Sequence, residues 1–275
     1  MRRAQRESWI RSAITSHAGA LPPREFKARV ARLGATARLR AAEELEVWRA
    51  RRQLRNRPHA RIVTVIPSIG RDRLVASVRT ALEQTIRNHH VVVVSDGSPL
   101  PPLPDDPRLT VIALRRRYGV AAVPRNVGIR SSASEFVAFL DDDNTWTPDH
   151  LERMVPSLAR GADLVYGAVQ WVDVGGAPIG TLSVAFDRDR LREENYVDTN
   201  AMVIRRTRRA RFRVVPRRRG DSTFEDWELA WRTSRRGNVV HVEAATARVL
   251  VHDGSQFSTP RPDQVAEAGY VAAVQ

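Results

Sequence analysis

The chain has 275 residues, no cysteine and a formal net charge of +14 at pH 7. A chain of this length can bury a substantial core, and the lack of cysteine excludes disulfides and thiolate metal sites. No run of about 18 apolar residues occurs, so the sequence predicts no membrane-spanning helix. The basic N-terminus lacks the apolar stretch of a signal peptide. The resulting expectation is a soluble cytoplasmic protein.

The positive charge is concentrated in residues 1–58, which hold fifteen Arg or Lys and five Glu. Apolar residues at helical spacing predict a helix over 24–56, between two proline-containing segments. We interpret residues 1–58 as a basic helical extension and residues 59–275 as the main domain. The extension either contacts an anionic partner, such as the inner face of a membrane, or presents a solvated helical surface. The lack of RNA- or DNA-binding motifs argues against nucleic acid as that partner.

Strands and helices alternate from Arg61 onward. This alternation predicts an α/β fold in which helices flank a mostly parallel sheet. Strands are predicted at 61–66, 90–95, 109–114, 135–140, 163–172, 239–242 and 247–252, with 199–205 extended. Helices are predicted at 72–87, 120–131, 148–159 and 224–235. For the helix at 148–159, Thr147 is the expected N-cap and Pro148 the first helical residue.

Three consecutive carboxylates, Asp141, Asp142 and Asp143, follow the strand predicted at 135–140. Their mutual repulsion is costly unless water or a cation offsets it. The carboxyl end of a buried strand is the usual place for a ligand site in α/β proteins. Carboxylate oxygens favour hard divalent cations, so the triplet predicts a Mg²⁺ or Mn²⁺ site.

Two other strand ends carry polar residues: Pro67-Ser68 and Asp96-Gly97-Ser98. Because the carboxyl ends of parallel strands share one edge, these residues are expected to lie near the Asp triplet. On its own, Asp96-Gly97-Ser98 also suits an ordinary turn. Together with the triplet it favours a nucleotide site, in which Asp96 accepts hydrogen bonds from a base or ribose.

Five motifs occur in one order along the chain: Val65-Ile-Pro-Ser68, Val94-Ser-Asp-Gly-Ser98, Pro124-Arg-Asn-Val-Gly128, Phe139-Leu-Asp-Asp-Asp-Asn-Thr-Trp-Thr-Pro148 and Phe224-Glu-Asp-Trp-Glu-Leu229. Over roughly residues 61–255 the chain resembles the family 2 glycosyltransferases with the Rossmann-like GT-A fold. The resemblance implies a nucleotide-sugar half at about 59–145 and an acceptor half at about 146–260. It also implies a nucleotide-diphosphate sugar donor, most often UDP-linked, a divalent metal, and inversion of the anomeric centre.

The resemblance assigns roles to individual residues. The residues expected to bind the nucleotide sugar are Pro67, Ser68, Asp96, Arg125, Asn126, Asp141 and Asp142. Asp143 and Asp141 are the expected metal ligands, and Asp226, within the pair Glu225-Asp226, is the expected catalytic base. His252 follows a predicted strand and is either a third metal ligand, a donor phosphate contact or a structural residue.

Some features depart from the family pattern or permit a second interpretation. Ile69-Gly70 stands where an aromatic or Tyr-Asn pair is frequent, and the Gln-x-x-Arg-Trp motif of processive synthases is absent, which favours single addition. Trp171 and Trp227 suit either a sugar platform or the core, and Asn200 is a candidate for facing the acceptor.

Two other classes of protein share part of this pattern. One is a catalytically inactive relative that binds an anionic partner through its basic surface, but such a protein has no need of clustered acids. The other is a sugar nucleotidyltransferase, whose Gly-rich basic loop the segment Pro67-Ser-Ile-Gly-Arg71 matches poorly.

Overall fold

The chain folds around a mixed sheet with nine strands in the part that the structure describes. The structure is a computed structural model that describes residues 23–55, 59–215 and 224–251, with side chains described from residue 33 onward. The helices are α1 (Pro23–Leu54), α2 (Leu74–Leu82), α3 (Ala122–Ser131), α4 (His150–Ala159), α5 (Arg188–Glu193) and α6 (Glu225–Ser234), with a 3₁₀ turn at Thr199–Ala201. The strands are β1 (Ile62–Ser68), β2 (His89–Ser95), β3 (Leu109–Ala113), β4 (Phe136–Phe139), β5 (Thr145–Trp146), β6 (Leu164–Val172), β7 (Pro178–Leu182), β8 (Met202–Arg205) and β9 (Val239–Leu250).

The strand order is β3-β2-β1-β4-β8-β6-β9-β5, and β7 pairs with β6. The first four strands of this order are parallel, whereas β8 joins β4 and β6 in antiparallel fashion. Every residue of β1 and β2 is buried, as expected for strands covered by helices on both faces. The predicted α/β class is therefore confirmed.

Several elements differ from the sequence prediction. Helix α2 ends at Leu82 rather than at residue 87, and β5, β7 and α5 lie in segments for which no element is predicted. Helix α4 begins at His150 with Asp149 at its N-cap position, because Thr147 uses its carbonyl to accept the His150 amide and its hydroxyl to bind Asp149. The two strands predicted at 239–242 and 247–252 are one strand, β9. Its pairing with β6 shifts register around Ala168, so an irregularity in a continuous strand resembled a break between two strands.

Hydrophobic side chains fill both faces of the sheet. One cluster joins α1, α3 and α6 to the sheet, and it includes Val47, Val127 and Leu229. The other lies under α2 and α4, and it includes Val78 and Leu158. No helix in the described ranges is long and apolar enough to cross a membrane.

The predicted N-terminal helix is confirmed, and its C-terminal half packs on α3. Val47 and Ala50 are buried in the first cluster. Glu43 accepts hydrogen bonds from Asn126 at 3.0 Å and from Arg130 at 2.8 Å. Helix α1 therefore shares a core with the sheet, while the division of the chain at residue 58 stays a prediction.

Helix α3 approaches β1 closely at Gly128. A Cβ atom added to Gly128 would lie 2.5 Å from Val65 Cγ1, whereas one added to Gly34 in α1 would meet nothing within 4 Å. We expect Gly128→Ala to lower the free energy of unfolding by about 1–3 kcal/mol through overpacking. The control Gly34→Ala should raise it by about 0.5–1 kcal/mol. Urea denaturation of both variants measures the difference, and equal stabilities would contradict the close approach.

Candidate active site

The polar ends of three strands are directly bonded to one another. The Asp96 amide donates to the Ser68 carbonyl at 2.8 Å, and the Ser68 hydroxyl donates to Asp142 Oδ2 at 2.7 Å. These residues follow or end β2, β1 and β4, whose parallel pairing aligns their carboxyl ends. The expectation that they share one edge of the sheet is confirmed, and Pro67 lies beside them in β1.

Asp142 holds the loop that follows β1. It is buried, and besides Ser68 it accepts hydrogen bonds from the Ile69 amide at 3.1 Å and from the guanidinium of Arg71. Arg71 Nη1 also lies 3.4 Å from Asp143 Oδ2. The repulsion within the triplet is therefore offset partly by an arginine that the sequence analysis did not single out. The predicted contact of Asp142 with the donor stays a prediction.

Asp96 fixes the loop before α3 through hydrogen bonds to its backbone. Its two carboxylate oxygens accept the amides of Tyr118 and Gly119, each at 2.8 Å, and the side chain is buried. Each carboxylate oxygen retains a second lone pair, so these bonds leave capacity for a ligand. Its contact with a base or ribose stays a prediction.

Arg125 bridges the Asp triplet and α6. Arg125 is 6% exposed, and its guanidinium donates to Asp141 Oδ1 at 2.6 Å and to Glu225 Oε1 at 3.3 Å. Burial alone lowers the pKa of Arg125, but the nearby carboxylates of Asp141 and Glu225 outweigh it and raise the pKa above its ordinary value. The bridge joins the predicted donor side to the helix that carries the predicted base.

Asp226 lies in the first turn of α6 and is held by neutral groups. It accepts a hydrogen bond from the Thr199 hydroxyl at 3.2 Å and one from the Trp227 amide at 2.7 Å. Burial, and then the negative charge of Glu225, raises the pKa of Asp226. A raised pKa strengthens a carboxylate as a proton acceptor near neutral pH.

The segment before β8 forms part of the same cluster. Burial raises the pKa of Asp198 to about 6, with added repulsion from Asp141 and Asp226. The side-chain oxygen of Asn200 accepts a hydrogen bond from the Asp141 backbone amide at 2.8 Å. The Asn200 backbone carbonyl accepts one from the Trp146 indole N–H at 2.6 Å. No sequence motif marks Asp198 or Thr199, and Asn200 is predicted only as an acceptor contact. In the structure, the Asn200 side chain positions the backbone of the triplet through its bond to the Asp141 amide.

Asn126 makes its contacts away from the triplet. Its amide donates to Glu43 at 3.0 Å and to the Phe212 carbonyl at 2.9 Å, and it accepts the Phe212 amide at 2.8 Å. Both hydrogens of the side-chain amide are used in these bonds. The contacts of Asn126 within the protein therefore satisfy its side chain without a bound nucleotide sugar. Its predicted role in donor binding is not needed to explain this geometry and stays a prediction.

The two tryptophans considered as sugar platforms lie in or against the core. Trp171 is buried in the cluster under α2 and α4. Trp227 packs on the other cluster and donates its indole N–H to the Leu191 carbonyl at 2.5 Å. These contacts favour the structural interpretation of both residues.

Asp141 and Asp143, the predicted metal ligands, are the two partly exposed members of the triplet. Their side chains are 30% and 16% exposed. The described ranges contain no group of three His, Asp or Glu residues arranged to hold an ion, and His252 lies outside them. Mg²⁺ is commonly held by one or two carboxylates together with substrate phosphates. The two hard oxygen donors fit that mode of binding.

The molecule is thus a mixed sheet with a carboxylate cluster at the carboxyl ends of its parallel strands. Residues 63–218 match the model of the family described as Glycosyl transferase family 2. This match covers more than half of the chain, so the chain belongs to that family, as the five motifs predicted.

Curated relatives share part of the chain. Succinoglycan biosynthesis protein ExoW of Rhizobium meliloti (strain 1021) is 34% identical over 124 residues, which cover 40% of this chain and 38% of ExoW. ExoO of the same organism is 34% identical over 120 residues, covering 42% of this chain and 34% of ExoO. The chain thus matches little more than a third of each relative.

Among solved structures, S. aureus TarS 1-349 in complex with UDP-GlcNAc has a similar fold. The TM-score is 0.56 at 15% identity, and the match covers 71% of this chain and 60% of that one. The structure of the same protein with UDP gives a TM-score of 0.54 at 16% identity. At such low sequence identity the similarity between the two proteins is one of fold. It confirms the predicted GT-A architecture.

Proposed function

We propose that the protein is a metal-dependent, inverting glycosyltransferase that moves one sugar from a nucleotide-diphosphate sugar to an acceptor hydroxyl. The observation that carries the proposal is the Arg125 bridge between Asp141 and Glu225. It joins the carboxylates at the end of β4 to the acid pair of α6 in one connected cluster. A donor held at the triplet and a base beside the acceptor are the two requirements of a single displacement.

A residue of α6 accepts the proton in this reaction, and a residue of the segment before β8 helps to position it. The acceptor oxygen forms a bond to the anomeric carbon while the bond from that carbon to the diphosphate oxygen breaks. Asp226 takes the proton from the acceptor hydroxyl, and the nucleoside diphosphate leaves with the electron pair. Thr199 and the Trp227 amide hold the carboxylate in place during this step. One displacement inverts the anomeric centre.

Asp143 and Asp141 would hold Mg²⁺ or Mn²⁺ together with the donor diphosphate. When bound, such an ion offsets the negative charge that grows on the leaving group. Arg71 already lies against the triplet, so the loop after β1 adds a positive charge on the same side. Both features suit a leaving group that carries two phosphates.

A UDP-linked donor is the preferred assignment. The related fold of TarS was solved with UDP-GlcNAc and with UDP, and UDP is the commonest nucleotide in the family that the sequence resembles. Ile69, which is exposed, stands where an aromatic residue is frequent. Any contact that it makes with the base is therefore apolar packing without aromatic stacking.

Donor binding can be tested by the melting temperature of the full chain with UDP-, GDP-, dTDP- and CDP-sugars, each with and without Mn²⁺. A ligand at about 100 times its Kd adds about 2.7 kcal/mol to the free energy of unfolding. For a chain of this size we expect a rise of about 5–10 °C, for UDP-sugars and only with Mn²⁺. A uniform lack of response would favour a catalytically inactive relative that binds an anionic partner.

A further inference from the structure

Helix α1 separates its charges between two faces. Glu43 and Glu46 are buried against the domain, where Glu43 binds Asn126 and Arg130 and Glu46 accepts the Tyr118 hydroxyl at 3.1 Å. These two buried acids thus serve the attachment of the helix to the sheet domain, and the exposed Glu44 beside them pairs with Arg130 of α3 at 2.6 Å. The opposite face is left with its arginines and apolar residues.

That opposite face forms one stripe, here called the outer stripe of α1. Its members recur at alternating spacings of three and four residues, so they lie above one another on the helix, and each is exposed. The outer stripe consists of Arg38, Ala41, Leu45, Trp48 and Arg52 of α1, together with Arg55, which directly follows the last residue of the helix. It contains no acidic residue.

Two large apolar side chains occupy the middle of the outer stripe. Leu45 is 57% exposed and Trp48 is 55% exposed. The Arg52 guanidinium lies 4.7 Å from the centroid of the Trp48 ring. The stripe thus combines exposed apolar side chains with arginines, the two kinds of side chain by which interfacial helices bind anionic membranes.

We infer that the outer stripe of α1 docks on an anionic lipid bilayer. Trp48 and Leu45 would enter the boundary between headgroups and acyl chains, a place that indole rings favour. Arg38, Arg52 and Arg55 would contact the anionic headgroups, whose surface potential attracts basic segments. The helix axis lies along the membrane surface in this arrangement, and the catalytic domain stays in water.

Charge favours lipid over a second copy of the chain. In a twofold dimer through this stripe, each helix presents the same patch to the other. An antiparallel pairing centred between Leu45 and Trp48 would bring Arg38 of one copy near the C-terminal arginines of its partner, and like charges repel. An anionic bilayer meets the same arginines with opposite charge, and it also covers the apolar centre.

Co-sedimentation of the full chain with vesicles tests the inference independently of sugar transfer. The vesicles are pure phosphatidylcholine, or phosphatidylcholine with about 30% phosphatidylglycerol. We expect binding only to the anionic vesicles, weakened strongly at about 0.5 M salt because the charges are screened. Trp48→Ser should lower the partition coefficient about tenfold, and the pair Arg38→Glu with Arg52→Glu should abolish binding.

Val174→Ser is the matched control, since Val174 is an exposed apolar residue outside α1. It should bind as the unchanged protein does, and melting temperatures should show that all variants fold. Equal binding to neutral vesicles, or unchanged binding of Trp48→Ser, would overturn the inference. A dimer that forms without lipid and is lost in Trp48→Ser would assign the stripe to self-association instead.

Discussion

Replacing Asp226 by Asn is expected to slow sugar transfer by about 10²–10⁴-fold, the usual contribution of a general base. An Asn side chain has nearly the same shape and can still accept the Trp227 amide through its oxygen. It cannot take the acceptor proton. Donor binding, measured by the rise in melting temperature, should remain that of the unchanged protein, because the proposed donor contacts lie at the strand ends.

The surroundings of the two neighbouring acids explain why Asp226 is assigned as the base and Glu225 is not. Glu225 forms an ion pair with Arg125 at 3.3 Å, so its carboxylate is directed at a cation. Asp226 is held by the Thr199 hydroxyl and a backbone amide. Burial and the Glu225 charge raise the pKa of Asp226, so it accepts a proton more readily than an ordinary aspartate.

The pH dependence of the rate has a defined direction. A general base works when deprotonated, so the rate should rise with pH through the pKa of Asp226 and then level off on that side. Burial and the Glu225 charge raise this pKa above the ordinary aspartate value, so the rise should lie at higher pH than for an exposed aspartate. In Asp226→Asn this limb of the profile should disappear.

Glu228→Gln is the matched control for Asp226→Asn, because Glu228 lies on the same helix and pairs with Arg232 instead of the site. Its transfer rate should stay within about twofold of the unchanged protein, as is usual for a surface ion pair. A near-normal rate for Asp226→Asn, together with a large loss in Glu225→Gln, would move the base assignment to Glu225.

Sequence patterns predicted the part of the site that depends on parallel strands. Ser68, Asp96 and the triplet follow successive buried strands, and parallel pairing necessarily brings such ends to one edge. The hydrogen bonds of Ser68 with Asp96 and Asp142 confirm that these strand ends lie together. Motif order along the chain then sufficed to identify the family.

The contribution of β8 could not be predicted from the sequence. Thr199 and Asn200 reach the site because β8 inserts beside β4 in antiparallel direction, and the sequence gives no strand order for that insertion. The buried face of α1 could not be predicted from the sequence for a different reason. Its buried face includes Glu43 and Glu46, whereas glutamates normally mark the exposed side of a helix. Only their partners on α3 and in the loop before it reveal the orientation.

Replacing Asp143 by Ala is expected to lower sugar transfer by about 10³-fold, since a metal ion supplies several kcal/mol of charge stabilisation to a leaving diphosphate. Mn²⁺ should no longer increase the donor-induced rise in melting temperature. The variant itself should fold normally, because removing one of three adjacent negative charges relieves repulsion within the triplet.

Asp106→Ala is the control for this change. Asp106 also forms an ion pair, with Arg108 at 2.7 Å, but it lies before β3, away from the carboxyl ends of the strands. Its transfer rate and its response to Mn²⁺ should match those of the unchanged protein. The comparison separates loss of the metal from loss of a surface ion pair.

Arg71 provides the competing explanation for charge neutralisation at the triplet. Its guanidinium binds Asp142 and approaches Asp143 at 3.4 Å, so an arginine could in principle offset the charge of the diphosphate without a metal. In that case Asp143→Ala would keep substantial activity, and a chelator such as EDTA would leave the unchanged protein active. Under the metal assignment, EDTA abolishes transfer by the unchanged protein and added Mn²⁺ restores it, whereas Asp143→Ala stays inactive in both conditions.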